Sequence, residues 1–133
     1  GYTHPDSHYT GELCDMRKPQ PSWNKKIIDW ANQEHNLKDV GTSYYRMSTG
    51  VILPTHGDTY KAYRRIFNCE LHNCYRIIIF LEDWQSGHYF EIDNTPISAY
   101  PAGTWVKWVA DTTHMAANLG ITNRYTLQIT GHK

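Results

Sequence analysis

Asp111-Thr112-Thr113-His114-Met115-Ala116-Ala117-Asn118 and, after the turn residues Leu119 to Asn123, Arg124-Tyr125-Thr126-Leu127-Gln128-Ile129-Thr130 are two short runs whose periodicity is two. In the second, Arg124, Thr126, Gln128 and Thr130 share one face, and Tyr125, Leu127 and Ile129 share the other, as side chains alternate along a strand. Working outward, similar runs occur at Thr42 to Met47, Val51 to His56, Tyr75 to Leu81, His88 to Ile92 and Thr104 to Val109. Turn residues separate them, and an eighth run has room around Tyr63 to Cys69 or Pro96 to Tyr100. Short strands at this spacing without helices between them predict a mainly β antiparallel sandwich or barrel: an eight-stranded jelly roll, or double-stranded β-helix. One convincing helix precedes them. Ser22 is placed to cap it, and Trp23, Ile27, Trp30 and Ala31 form a single apolar stripe ending near Asn36. A helix so patterned packs on an outer face of the sheet.

The chain of 133 residues fits a single domain, residues 1–133, with residues 1–21 read as an irregular arm punctuated by Pro5, Pro19 and Pro21. Thirteen Lys plus Arg balance thirteen Asp plus Glu, so no basic field exists to hold a nucleic-acid backbone, and no nucleic-acid partner is expected. No run of eighteen apolar residues occurs, so no membrane span is expected either. The first residues lack the basic start and apolar block of a secretory signal. Cys14, Cys69 and Cys74 are too few and odd in number for a disulfide framework. These features together predict a reducing, cytoplasmic setting.

Most of the eight histidines lie near the ends or in polar connections and read as solvated. His56 differs, because His56-Gly57-Asp58 directly follows the apolar run Val51 to Pro54. Residues two apart on a strand can reach one metal ion, and Gly57 lets the strand end bend so that the two side chains converge. His114, at the start of another strand, supplies a third ligand. Two imidazoles and one carboxylate on one side of an ion leave the other positions open, which is the Fe(II) facial triad. Arg124, one strand away, presents a planar fork suited to the far carboxylate of an α-keto acid chelated by that ion, and Thr126 faces the same way.

On these residues the sequence resembles the Fe(II)/2-oxoglutarate-dependent oxygenase superfamily: His56-Gly57-Asp58 as its His-x-Asp motif, His114 as its distal histidine, Arg124-Tyr125-Thr126 as its Arg-x-Ser/Thr motif. Within it the chain is most similar to the aspartyl/asparaginyl β-hydroxylase and proline hydroxylase group, through Pro101-Ala102-Gly103-Thr104-Trp105 and the ten-residue offset from His114 to Arg124. The resemblance implies a cupin-like double-stranded β-helix and an oxidoreductase, a dioxygenase hydroxylating a small molecule or an amino-acid or peptide side chain. It implies Fe(II) held by His56, Asp58 and His114, 2-oxoglutarate held by Arg124 and Thr126, and O2 as co-reactant. It also draws attention to Arg76, Arg65 and Arg64 as substrate-binding candidates, with Trp105 among the pocket walls. The alternative from another class is a cupin-like metal or small-molecule binding protein without oxygenase activity; Arg124, for which a bare binding module has no need, is the feature that separates the two.

Overall fold

A computed structural model describes residues 12–15 and 21–133. Strand β1 (Glu12–Asp15) is followed by helix α1 (Asn24–His35), β2 (Lys38–Met47), β3 (Ile52–His56) and helix α2 (Lys61–Phe67). Then come β4 (Cys74–Phe80), β5 (His88–Ile92), the short β6 (Thr95–Pro96), β7 (Trp105–Val109), β8 (His114–Asn118) and β9 (Arg124–His132). The segment read as an irregular arm therefore contributes a strand at Glu12–Asp15, paired antiparallel with β2; the rest of residues 1–20 lies outside the described residues. Tyr63 to Cys69, one of two places considered for an eighth strand, is mostly helix α2.

Two antiparallel sheets face each other, ordered β1-β2-β9-β4-β7 and β3-β8-β5-β6. Apart from the β5–β6 hairpin, neighbours in the sheets are far apart in sequence, as in a jelly roll. Between them lie Met47, Ile78, Phe80, Phe90, Tyr100, Trp108 and Ala116. Phe80 stacks on Tyr100 at 4.0 Å between centroids and meets Phe90 edge-on at 5.6 Å. A second cluster covers the outer face of the larger sheet, where Ile27, Trp30 and Ala31 of α1 pack on Leu37, Ile77, Leu127 and Ile129. Thus the apolar side of β9 faces the helix, and its polar side is turned into the barrel.

Ser22 does not cap α1. The N-cap is Trp23, without a side-chain cap, and the Asn24 N–H is taken up by the Pro21 carbonyl at 3.0 Å. The helix entrance is instead pinned from the side. The Trp23 indole donates to the Tyr44 hydroxyl (2.8 Å), and the Thr42 hydroxyl donates to the buried Asn24 side-chain oxygen (2.7 Å). Asn36 ends the helix in the left-handed region, and the Leu37 N–H reaches back to the Ala31 carbonyl. Because Ile129 is fully buried under this helix, Ile129→Ala is expected to cost about 2 to 5 kcal/mol, read as a lower urea midpoint at unchanged slope.

Candidate metal centre

His56 and His114 meet across the β3–β8 pairing, where they are register partners with ring centroids 4.3 Å apart. A bulge makes this possible. Ile52 pairs with Ala117 and Leu53 with Ala116, then the register slips by one before His56 meets His114. In unbroken alternation Thr55 would share the inner face with Leu53; the extra residue gives that place to His56. Pro54 sits within the slip, on an edge strand, where its missing N–H costs no ladder bond.

Gly57 carries the chain from the strand to Asp58 past the β7–β8 turn. A Cβ there would lie 2.6 Å from the Asp111 carboxylate and 3.0 Å from the Asp111 carbonyl oxygen. The missing side chain lets that turn close in, and the Asp111 N–H donates to the Asp58 carbonyl at 2.9 Å. Asp111 itself has φ 69°, so the turn before His114 is built on a left-handed residue. Asp58 then lies between the imidazoles, its carboxylate 3.8 Å from His56 Nε2 and 3.4 Å from His114 Nε2. One ligand atom from each of the three lies within 4.8 Å of the others.

Both rings are set by the backbone. His56 Nδ1–H donates to the Pro54 carbonyl (2.7 Å) and His114 Nδ1–H to the Thr112 carbonyl (2.9 Å). A carbonyl only accepts, so each bond commits Nδ1–H and leaves Nε2 facing Asp58, as a donor when the ring is protonated and as a lone pair for a metal ion when it is neutral, the arrangement of metal-binding histidines. Trp108 closes one side, its ring 4.9 Å from His114.

Burial alone would push the Asp58 carboxyl up, but the His114 hydrogen bond and the charges of Arg76, His114 and His56 outweigh it and hold it at about 2. A depressed carboxyl stabilises the fold above its unfolded value of 3.8, and that contribution is lost as pH falls through about 2. In metal-free protein, Asp58→Asn should therefore flatten the fall in stability between about pH 4 and about pH 2, by about 1 to 2 kcal/mol after allowance for solvent screening. Urea titrations of both proteins at the two pH values check this; equal slopes would refute it.

Arg76, buried on β4, is the cation coupled to this centre. Its Nε–H donates to the Tyr60 hydroxyl (3.0 Å), its other arm donates to the Gln128 side-chain oxygen, and the Tyr60 hydroxyl donates onward to Asp58 (3.4 Å). Tyr60, absent from the sequence reading, is the relay. Its signal was its place two residues beyond Asp58.

Arg124 and Thr126 point into the barrel, 5% and 0% exposed. The Arg124 guanidinium lies over Phe90 (5.5 Å) with a long bond to the Tyr89 carbonyl (3.4 Å); burial pulls its pKa below the usual value. Among the described residues, Arg124 Nε and Thr126 Oγ1 are buried without a hydrogen-bond partner. Two other expected contributors lie elsewhere. Trp105 is on the outer face of β7, packed edge-on against Trp30 and His35, because strand alternation gives the inner face to Val106 and Trp108. Arg65 is exposed on α2, and Arg64, beside it, donates to the Thr59 carbonyl at 3.5 Å.

No protein-family model and no curated protein matches the sequence. Solved structures do. A protein described as a predicted oxalate decarboxylase of Thermotoga maritima is 14% identical, with 77% of this chain and 74% of that one covered and a TM-score of 0.50. KdgF of a Halomonas species is 10% identical, covering 71% and 70%, also at 0.50. A cupin protein of Bacteroides fragilis is 16% identical, covering 76% and 72%, at 0.49. The fold is a jelly roll of two antiparallel sheets. At these identities the likeness is one of architecture, and such a fold hosts many unrelated activities. No helix among the described residues is long and apolar enough to cross a membrane.

Proposed function

We propose that this cupin-fold chain is an Fe(II)- and 2-oxoglutarate-dependent dioxygenase that hydroxylates a small molecule or an amino-acid or peptide side chain. The observation that carries the reading is a pairing inside one barrel. The His56, Asp58 and His114 donors converge at one level, and Arg124 Nε and Thr126 Oγ1, buried and unsatisfied, face inward on β9. Buried polar atoms of native proteins are nearly always bonded, so an unpaired guanidinium N–H beside an unpaired hydroxyl implies an acceptor that binds there. A carboxylate fits both.

The donor set fits a divalent ion of intermediate hardness: two neutral imidazoles and one carboxylate, three donors that would leave the ion's remaining positions to other ligands. Fe(II) with 2-oxoglutarate and O2 would supply oxidative decarboxylation of the keto acid to succinate and CO2, coupled to hydroxylation of the substrate. The chain's own part is positional. The Pro54 and Thr112 carbonyls hold the imidazoles in the ligating tautomer, and the Gln128–Arg76–Tyr60 chain orients Asp58. Trp108 and Phe90 line the space between the metal donors and Arg124 with apolar surface.

A second reading, a metal or small-molecule binding protein without oxygenase activity, is favoured by the rings between the two levels. Phe90 lies under Arg124, 6.1 Å from Trp108, which in turn touches His114. The deciding experiment is anaerobic titration of the Fe(II) protein with 2-oxoglutarate. The charge-transfer absorption of a chelated keto acid, followed by O2-dependent succinate release, supports the dioxygenase. Stoichiometric iron without that band leaves the binding protein.

A further inference from the structure

Away from the metal centre, the α2–β4 connection brings two thiols together. Cys69 follows the left-handed cap of α2, its N–H bonded to the Arg64 carbonyl; Cys74 opens β4. Their Sγ atoms are 3.6 Å apart and both are free thiols. The turn between them, Leu71–Asn73, is a single 3-10 turn that already holds the ends close, so closing a bond across it costs little further chain entropy.

We propose that Cys69 and Cys74 are a redox pair that forms a reversible intramolecular disulfide by exchange with a low-molecular-weight disulfide. Cys69 is the thiol that reacts first, being partly exposed, whereas Cys74 is completely buried. The Cys69 thiolate attacks one sulfur of the small disulfide and expels one small thiol. Cys74 then loses its proton, attacks the Cys69 sulfur of the mixed disulfide and expels the second small thiol. Two protein thiols are oxidised to one disulfide while one small disulfide is reduced to two thiols, and the protons are conserved. Burial, together with the bond and charge shared with Cys69, pushes the Cys74 thiol up to about 11, with Arg64 opposing. It therefore waits as a neutral thiol donating weakly to the Glu70 carbonyl (3.4 Å) until its neighbour is capped.

The position gives the bond a mechanical consequence. Cys74 stands two residues before Arg76, and α2 follows directly on Tyr60, to which Arg76 is bonded. A disulfide would tie the far end of α2 to the start of β4, closing the segment between Tyr60 and Arg76 at a second point. The inference needs no metal and does not rest on the oxygenase reading.

The test incubates the full chain carrying Cys14→Ser with glutathione disulfide at neutral pH, followed by intact mass and non-reducing peptide mapping. The expected product has lost two hydrogens, carries no adduct, links Cys69 to Cys74 and returns to the dithiol with excess reduced glutathione. Adding Cys74→Ser should trap one glutathione on Cys69, and adding Cys69→Ser should leave Cys74 unmodified in the folded protein. A parent that accumulates a stable glutathione adduct, or stays fully reduced while the trapping variant is modified, would overturn the proposal. So would equal modification of the two single-thiol variants.

Discussion

His114→Ala should bind Fe(II) more weakly by well over the roughly 10- to 100-fold that loss of an outer hydrogen-bond partner costs a metal site. It should do so without unfolding the chain. The side chain faces the barrel rim between His56 and Trp108, while the strand that carries it is held by β3 and β5 on either side. His56→Ala should behave alike. Asp58→Ala should add a second effect, because it removes the carboxylate to which Tyr60 donates and which Arg76 and the two imidazoles face. Equilibrium dialysis with Fe(II) under argon, alongside far-ultraviolet circular dichroism, measures both quantities. If any two of these variants retained stoichiometric iron at parental affinity, the three residues would not be the metal centre.

Arg124→Leu separates the proposed cosubstrate site from the metal site. Iron affinity should be unchanged, because the arginine is not among the convergent donors. If Arg124 takes the distal carboxylate of 2-oxoglutarate, removing one partner of a desolvated charge pair costs about 2 to 5 kcal/mol, or roughly thirty-fold to several thousand-fold in the apparent Kd of the keto acid. Thr126→Ala should cost less, about 1 to 2 kcal/mol, and Arg124→Lys should recover part of the loss by keeping the charge without the fork. Stability supplies an independent readout. Among the described residues the buried guanidinium has an unpaired Nε, one long bond to a carbonyl and the face of Phe90, so replacing it by an apolar side chain should leave the thermal midpoint unchanged or raised. A leucine variant that titrates with 2-oxoglutarate like the parent would remove the cosubstrate assignment and favour the binding protein.

Much of the architecture was legible because strand alternation is a local property. The seven β-rich runs correspond to β2, β3, β4, β5, β7, β8 and β9, and the apolar stripe of α1 lies on the larger sheet. Local signals failed where a neighbour supplied the missing contact. Ser22 looks like a cap in isolation, yet the Pro21 carbonyl takes the Asn24 N–H and Tyr44 anchors the Trp23 indole. Trp105 has the composition of a pocket wall, but a period of two places it opposite Trp108, under the helix. The cysteine count could not show that the turn between α2 and β4 brings two free thiols to 3.6 Å, because that approach is made by the fold.

The sequence by itself determined seven of the strands and the residue types of the candidate metal site. Periodicity is written in consecutive residues, and His-Gly-Asp with a distant histidine supplies a recognisable donor set. What tertiary structure alone decided was which way those donors face. Plain alternation from Leu53 would have aimed Thr55 inward and His56 at solvent, and one extra residue in β3, expressed only in the pairing with β8, reversed this. The polar side of β9 is ambiguous in the same manner: as a string it reads equally as a wet surface or a lined interior. It became an interior because α1 covers Leu127 and Ile129 on the other face, leaving Arg124 and Thr126 buried inside the barrel.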